Sequence, residues 1–228
     1  MRTTLILLCC TFLCVTTAKA AVIDDFDTGE FYISTLTANP ATLSQSGLDT
    51  NHVLGGTRDV YLTKTGPLES AAAVLSLDYL SWSNDAYTYS VLAIEYGKNA
   101  EMNAVLSDSS EFRLSAKTDS ASLPQHQMDI AITIVTGGNE FTAPAASVAT
   151  DDVFVDVIIP FSNFTGPVGT PDWNDVDYIK LVLSTPNAAT DAAIDLFTAQ
   201  IPEPTTTAFL TLGALGLIRR RRKLAAAC

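Results

Sequence analysis

Apolar and polar residues alternate along most of this chain with a period of two, the repeat of a strand that turns one face to a core and the other to water. Such alternation, enriched in β-branched and aromatic residues, recurs in Val22 to Phe26, Phe31 to Thr35, Asp59 to Thr63, Ala73 to Trp82 and Thr88 to Tyr96. It returns in Glu111 to Lys117, Met128 to Val135, Val153 to Ile159, Tyr178 to Leu183 and Ala193 to Phe197. Turn signals stand between these runs, among them Gly55-Gly56, Gly137-Gly138-Asn139, Thr165-Gly166-Pro167 and Pro186-Asn187. In Val153 to Ile159 every odd position is apolar, which predicts a strand with one face turned to the core. Between the two ends of the chain no segment holds a helical period beyond a turn or two. About ten short strands without alternating helices predict an all-β fold, an antiparallel two-sheet sandwich of the jelly-roll kind.

The two ends break the alternation. Met1 to Ala20 has a positive Arg2, an apolar run from Leu5 to Val15 and the small-x-small triplet Ala18-Lys19-Ala20. That is the layout of a secretory signal peptide, cleaved so that Ala21 becomes the first residue, with signal peptidase and the secretion machinery as partners. A lipoprotein signal needs a small residue before its cysteine, and Leu13 precedes Cys14. At the other end, Pro202-Glu203-Pro204 is followed by an apolar run from Thr205 to Ile218 and then Arg219, Arg220, Arg221, Arg222 and Lys223. The prolines disfavour helix before Thr205, because they remove backbone donors and push each preceding residue toward extended conformations. The apolar run, as a helix at about 1.5 Å per residue, spans about 21 Å against a hydrocarbon core of about 30 Å. It is a marginal anchor, and the arginines after it form a stop-transfer cluster that holds the C-terminus inside. The chain thus divides into a signal peptide (1–20), a β-sandwich domain (21–200) and a tail (201–228).

Proline-glutamate-proline, a short apolar segment and a basic cluster, in register at the end of an exported chain, resemble the sorting tail of PEP-CTERM proteins. The resemblance implies a membrane protease of the exosortase type as a partner. It also implies transient anchoring by the C-terminal helix, processing near the motif, and delivery to the cell surface or extracellular matrix.

Charge sharpens the contrast between the ends and the middle. The whole chain carries a net charge of −12, but residues 21–200 hold 6 basic against 24 acidic residues. A body so acidic repels nucleic acid and attracts cations. Cys9, Cys10 and Cys14 lie in the signal segment and Cys228 beyond the basic cluster, so the body has no cysteine. Disulfides and thiolate sites are excluded there.

A second, weaker resemblance concerns the body. Ile23-Asp24-Asp25-Phe26, Val157 to Phe164, Asp172 to Ile179 and Ala193-Ile194-Asp195-Leu196 are similar to the first and last strands of galactose-binding-like jelly rolls, a group that includes many carbohydrate-binding modules. It implies a fold more than a ligand. Asp24, Asp25 and Asp195 sit on the first and last strands, and hard oxygen ligands gathered there suit structural calcium; solvated edge carboxylates are the plainer reading. The run Asp172 to Asp177 lacks EF-hand spacing, since Val176 takes a ligand position. Trp173, between Asp172 and Asn174, is the aromatic expected to be exposed and available for glycan contact, whereas Trp82 in an apolar run reads as core. Gly55-Gly56 reads as a tight turn, and Arg58 after it as one partner of an internal ion pair.

Catalysis has little to work with. His52 and His126 read as solvated surface residues, and no nucleophile-elbow, zinc-protease or phosphate-loop motif occurs. No catalytic residue is assigned. The reading is a non-enzymatic exported protein, structural or polysaccharide-binding. One alternative is a carbohydrate-active enzyme, a glycoside hydrolase or lyase, which requires two facing carboxylates. Another is a protein-binding adhesin, which requires an exposed apolar patch.

Overall fold

In Met128–Thr136 every second side chain is buried and the residues between are half-buried, and the same rhythm runs through Tyr178–Ser184 and Glu111–Thr118. The computed structural model describes residues 20–201 except 37, 66–70, 77–78 and 120–125. The signal segment before Ala20, with Ala18, and the tail with the helix expected over 205–218 lie outside the described residues. Among those described, no helix is long and apolar enough to cross a membrane.

The strands are β1 (Ala21–Asp24), β2 (Phe31–Ser34), β3 (Ala41–Ser46), β4 (Thr57–Thr65), β5 (Ala71–Ser76), β6 (Tyr79–Asn84), β7 (Tyr89–Tyr96) and β8 (Glu111–Thr118). After them come β9 (Met128–Thr136), β10 (Asn139–Thr142), β11 (Ala146–Val148), β12 (Val155–Pro160), β13 (Tyr178–Ser184) and β14 (Ala192–Gln200). They form two antiparallel sheets of seven strands. The first runs β12-β8-β14-β6-β5-β2, with β1 also on β14; the second runs β10-β9-β13-β7-β4-β3, with β11 on β9. From β7 onward the chain passes back and forth between the sheets, the switching of a jelly roll. Inward residues of both sheets, such as Phe112, Leu114 and Phe197 from the first and Leu62, Leu92, Ile132 and Leu181 from the second, belong to one hydrophobic cluster. Removing that apolar surface from water is the main driving force for folding.

The first and last strands are direct neighbours, with Ala21 opposite Ala199 and Asp24 opposite Phe197. Beneath them lies the internal ion pair expected of Arg58. Its guanidinium is 0% exposed; Nη2 donates to Asp24 Oδ1 at 2.8 Å. Nε approaches Asp24 Oδ2 to 2.7 Å without its N–H aligned on that oxygen. Tyr96 donates its hydroxyl to Asp24 Oδ2 at 2.9 Å, and Phe26 N–H donates to Oδ1 at 2.9 Å. The Gly55-Gly56 turn that leads into β4 has φ values of 74° and 66°. At Gly56 a Cβ would come within 2.9 Å of the Leu48 carbonyl oxygen, so only glycine fits without a backbone shift.

Three sequence expectations are corrected. Ala73 to Trp82 holds two strands, β5 and β6, that pair antiparallel. Its buried residues switch parity, from Ala73 and Leu75 to Leu80 and Trp82, which one unbroken strand cannot do. Val153 to Ile159 does not give its whole odd face to the core. The strand starts at Val155, lies at a sheet edge beside β8, and leaves Val153 62% and Val155 38% exposed while Ile159 is buried. Finally β3, β10 and β11 are strands without a sequence signal, because short or edge strands need few apolar residues.

Candidate functional site

The solvent face of the first sheet carries a groove where β6, β14 and β8 run side by side. Cross-strand pairing sets Ser81 opposite Ala193 and Ala193 opposite Lys117, so the central position of that row is a methyl group between longer neighbours. This makes a depression of about 210 Å³, lined also by Tyr79, Ser83, Asp119, Asp152 and Asp191. Tyr79 stands exposed at one side, edge-on to Phe154 with ring centroids 6.4 Å apart. Lys117 Nζ lies 5.0 Å from the Phe154 ring centroid and 6.0 Å from that of Tyr79.

Each acid of the groove is held in place. Asp152 accepts from Lys117 Nζ at 2.7 Å, and its N–H donates to the Thr118 carbonyl at 2.9 Å. Thr118 and Thr150 exchange paired bonds, each backbone N–H donating to the other's hydroxyl at 2.8 Å. Asp119 lies 3.0 Å from His126 Nδ1, and its N–H donates to the Asp191 carbonyl at 3.0 Å. Asp191 Oδ1 accepts from Asn84 N–H at 3.1 Å. Asn84 is itself buried and fixed from below: its Nδ2 donates to the Thr190 carbonyl at 2.7 Å, and its Oδ1 accepts from Ser90 Oγ. Ser90 Oγ in turn accepts from Trp82 Nε1 at 2.9 Å, so Trp82 is core, as expected, and braces the groove floor. Side chains fixed in this way lose little freedom on meeting a ligand.

Two other depressions occur among the described residues. One, of about 400 Å³, lies at the β2 and β3 edges around Tyr32, Leu36 and Pro40. The other, of about 370 Å³, is lined by Lys98, Glu101, Glu140, Asp177 and Tyr178. Near it, Glu95 is buried on the second sheet with Lys98 at 2.6 Å and Lys180 at 3.3 Å. Burial acts to raise the Glu95 pKa, but the bonds from Lys98, Tyr178 and Lys180 outweigh it and hold the group below the usual carboxylate value.

The residues singled out in the sequence fall elsewhere. Trp173 is not the open ring expected: it is half-buried and stacks on Phe161, with centroids 3.7 Å and planes 9° apart. It meets Phe112 and Phe164 edge-on. The two histidines are not simply solvated either, since each faces a carboxylate. His52 Nδ1 is 2.6 Å from Asp25 Oδ2, and that hydrogen bond raises the His52 pKa. Of the acids considered for calcium, Asp24 is committed to Arg58 and Tyr96, and Asp195 is half-buried at the irregularity between Ile194 and Leu196. Asp25, instead, converges with Asp27 and His52, with ligating atoms within 4.8 Å of one another.

The tail is the part of the chain with a decisive match. Residues 200–223 are a PEP-CTERM protein-sorting motif. This PEP-CTERM segment contains Pro202, Glu203, Pro204 and the cluster Arg219 to Lys223. Among curated proteins, none matches the chain. Similar solved structures include the family 11 carbohydrate-binding module of the cellulosomal cellulase Lic26A-Cel5E of Clostridium thermocellum, at 12% identity and a TM-score of 0.43 over 83% of this chain and 99% of that one. A family 29 carbohydrate-binding module matches at 8% identity and a TM-score of 0.37, over 76% of this chain and 87% of that one. The agarase AgWH50C matches at 14% identity and 0.42, over 62% of this chain but 24% of its own. At such identities and TM-scores these similarities do not bear on a ligand.

Proposed function

We propose that this is a non-enzymatic exported protein, carried by its PEP-CTERM tail to the cell surface or extracellular matrix, where the groove of the first sheet binds polysaccharide. Signal peptidase and an exosortase-type protease are its processing partners. The observation that carries the binding role is the groove itself: an exposed tyrosine, serine hydroxyls and pre-positioned carboxylates around a floor of small side chains. A sugar offers the matching surfaces, an apolar ring face for the aromatic and hydroxyls for the acids. A non-catalytic role is supported by the state of the acids, since Asp119 and Asp152 each have a basic partner and Asp191 holds the Asn84 amide.

The test is a glycan screen of the full chain in detergent, followed by Tyr79→Ala on any polysaccharide retained. Loss of an aromatic anchor weakens binding about tenfold or more, and no reducing ends are released from the bound polymer. Unchanged affinity in Tyr79→Ala places binding elsewhere, and released sugar makes the protein an enzyme.

Calcium is a separate proposal at the β1 end, where Asp25 and Asp27 supply oxygens. A cation bound only by the folded state raises the melting temperature. Millimolar calcium is expected to raise it relative to chelator, less so in Asp25→Asn; no shift removes the proposal.

A further inference from the structure

We propose that the groove takes an amine-bearing, cationic polysaccharide and rejects anionic ones, an inference that rests on the groove being the glycan site. Its rim carries three carboxylates, Asp119, Asp152 and Asp191, against one lysine, Lys117. That lysine is paired with Asp152 at 2.7 Å, so its charge is answered within the protein. Even with His126 protonated against Asp119, the groove keeps a net negative charge. The surrounding body, with 24 acidic and 6 basic residues, adds a field of the same sign that raises the local concentration of cations and lowers that of anions.

The ammonium of Lys117 lies over Phe154 and near Tyr79, so the aromatic faces at that end already have their positive charge, and the acids left for a ligand's ammonium are Asp191 and Asp119. A protonated amino sugar presents an ammonium of that kind beside its ring. It can set the ammonium toward Asp191 or Asp119 while the ring lies on Tyr79. A uronate unit in the same pose brings its carboxylate against those acids, and a neutral unit keeps the ring contact with Tyr79 without the charge attraction. The charge contribution acts on approach as well as on binding, so it weakens as salt rises.

The experiment compares hexamers of glucosamine, glucose and uronic acid on the full chain in detergent, at mildly acidic pH where the amines are protonated. Glucosamine hexamer is expected to bind at least about tenfold more tightly than glucose hexamer, the gap closing with added salt, and the uronate is expected not to bind. Asp191→Asn keeps an oxygen for the Asn84 amide but removes the charge. It is expected to lower glucosamine affinity several-fold and glucose affinity by much less, and Glu101→Gln at the depression around Lys98 and Tyr178 is expected to change neither. Equal losses in Asp191→Asn and Glu101→Gln reveal general charge attraction and overturn the inference. So does glucose or uronate hexamer binding as tightly as glucosamine in a Tyr79-dependent manner. If no hexamer shows Tyr79-dependent binding, the underlying glycan reading fails, and the inference with it.

Discussion

Arg58→Ala destabilises the sandwich by about 3 to 5 kcal/mol, the cost of leaving a buried charge without its partner. Against a domain stability of about 5 to 15 kcal/mol, this is enough to bring the fold near its threshold. The residue abandoned is Asp24, which is fully buried and cannot turn to water while β1 stays paired with β14. Replacing both residues by apolar ones of similar volume is expected to recover most of the loss, because the desolvation of both charges is then avoided. The pair also has a pH signature. Burial pushes the Asp24 carboxyl up to about 6 from 3.8, against the opposing pull of Arg58 and the bonds from Phe26 and Tyr96. The folded state therefore holds that proton more firmly than the unfolded chain. The stability contributed by this group is full below its unfolded value and is lost as pH rises through about 6. The Arg58→Ala penalty is accordingly smaller at acidic than at alkaline pH, because protonated Asp24 needs no counter-charge. Chemical unfolding of both proteins across pH measures this; a penalty below about 1 kcal/mol at all pH values contradicts a buried pair.

Replacing Pro202, Glu203 and Pro204 with alanine is expected to leave export intact and hold the protein uncleaved in the membrane. The motif lies between the end of β14 at Gln200 and a run of 14 uncharged residues before Arg219. Without the prolines that stretch can continue as helix, and a protease in the membrane loses its extended substrate. Removing Arg219 to Arg222 has a different effect. The stop-transfer charge is lost, and retention before processing weakens. Mass spectrometry separates the cases: in a host with an exosortase, the native chain ends near the motif, while the triple-alanine chain extends to Cys228. A native chain that also extends to Cys228 is permanently anchored.

Much of the sandwich was legible because burial in a sheet writes itself as alternation. All ten runs picked out by period two contain strand, and Arg58, one of six basic residues in an acidic body, reads correctly as an internal partner. What escaped did so for physical reasons. β3 (Ala41–Ser46) is polar because an edge strand gives only part of one face to the core. The division of Ala73 to Trp82 into two strands was written in the parity switch of its large apolar residues, a signal that period-two alternation within each half conceals. The groove was hidden because it depends on cross-strand register: Ser81, Ala193 and Lys117 are far apart in sequence and meet only through the pairing of β14 with both neighbours. Its signal was present in a quiet form, as the polar phase Tyr79, Ser81, Ser83 of a strand whose other phase is buried. Trp173 misled for the opposite reason. Its polar neighbours suggested a loop rim, but its partners Phe161, Phe164 and Phe112 come from other segments.

On the proposed function, the groove of the first sheet, and not another part of the surface, receives the polysaccharide. Hydrogen exchange of the full chain, with and without the bound polymer, tests it most directly, since a ligand stabilises the structure that it covers. Protection is expected in Tyr79–Asn84, at Lys117 to Asp119 and at the start of β14. Protection confined to the depression around Tyr32 and Pro40, or to that around Lys98 and Tyr178, with none on β6 and β14, would contradict it.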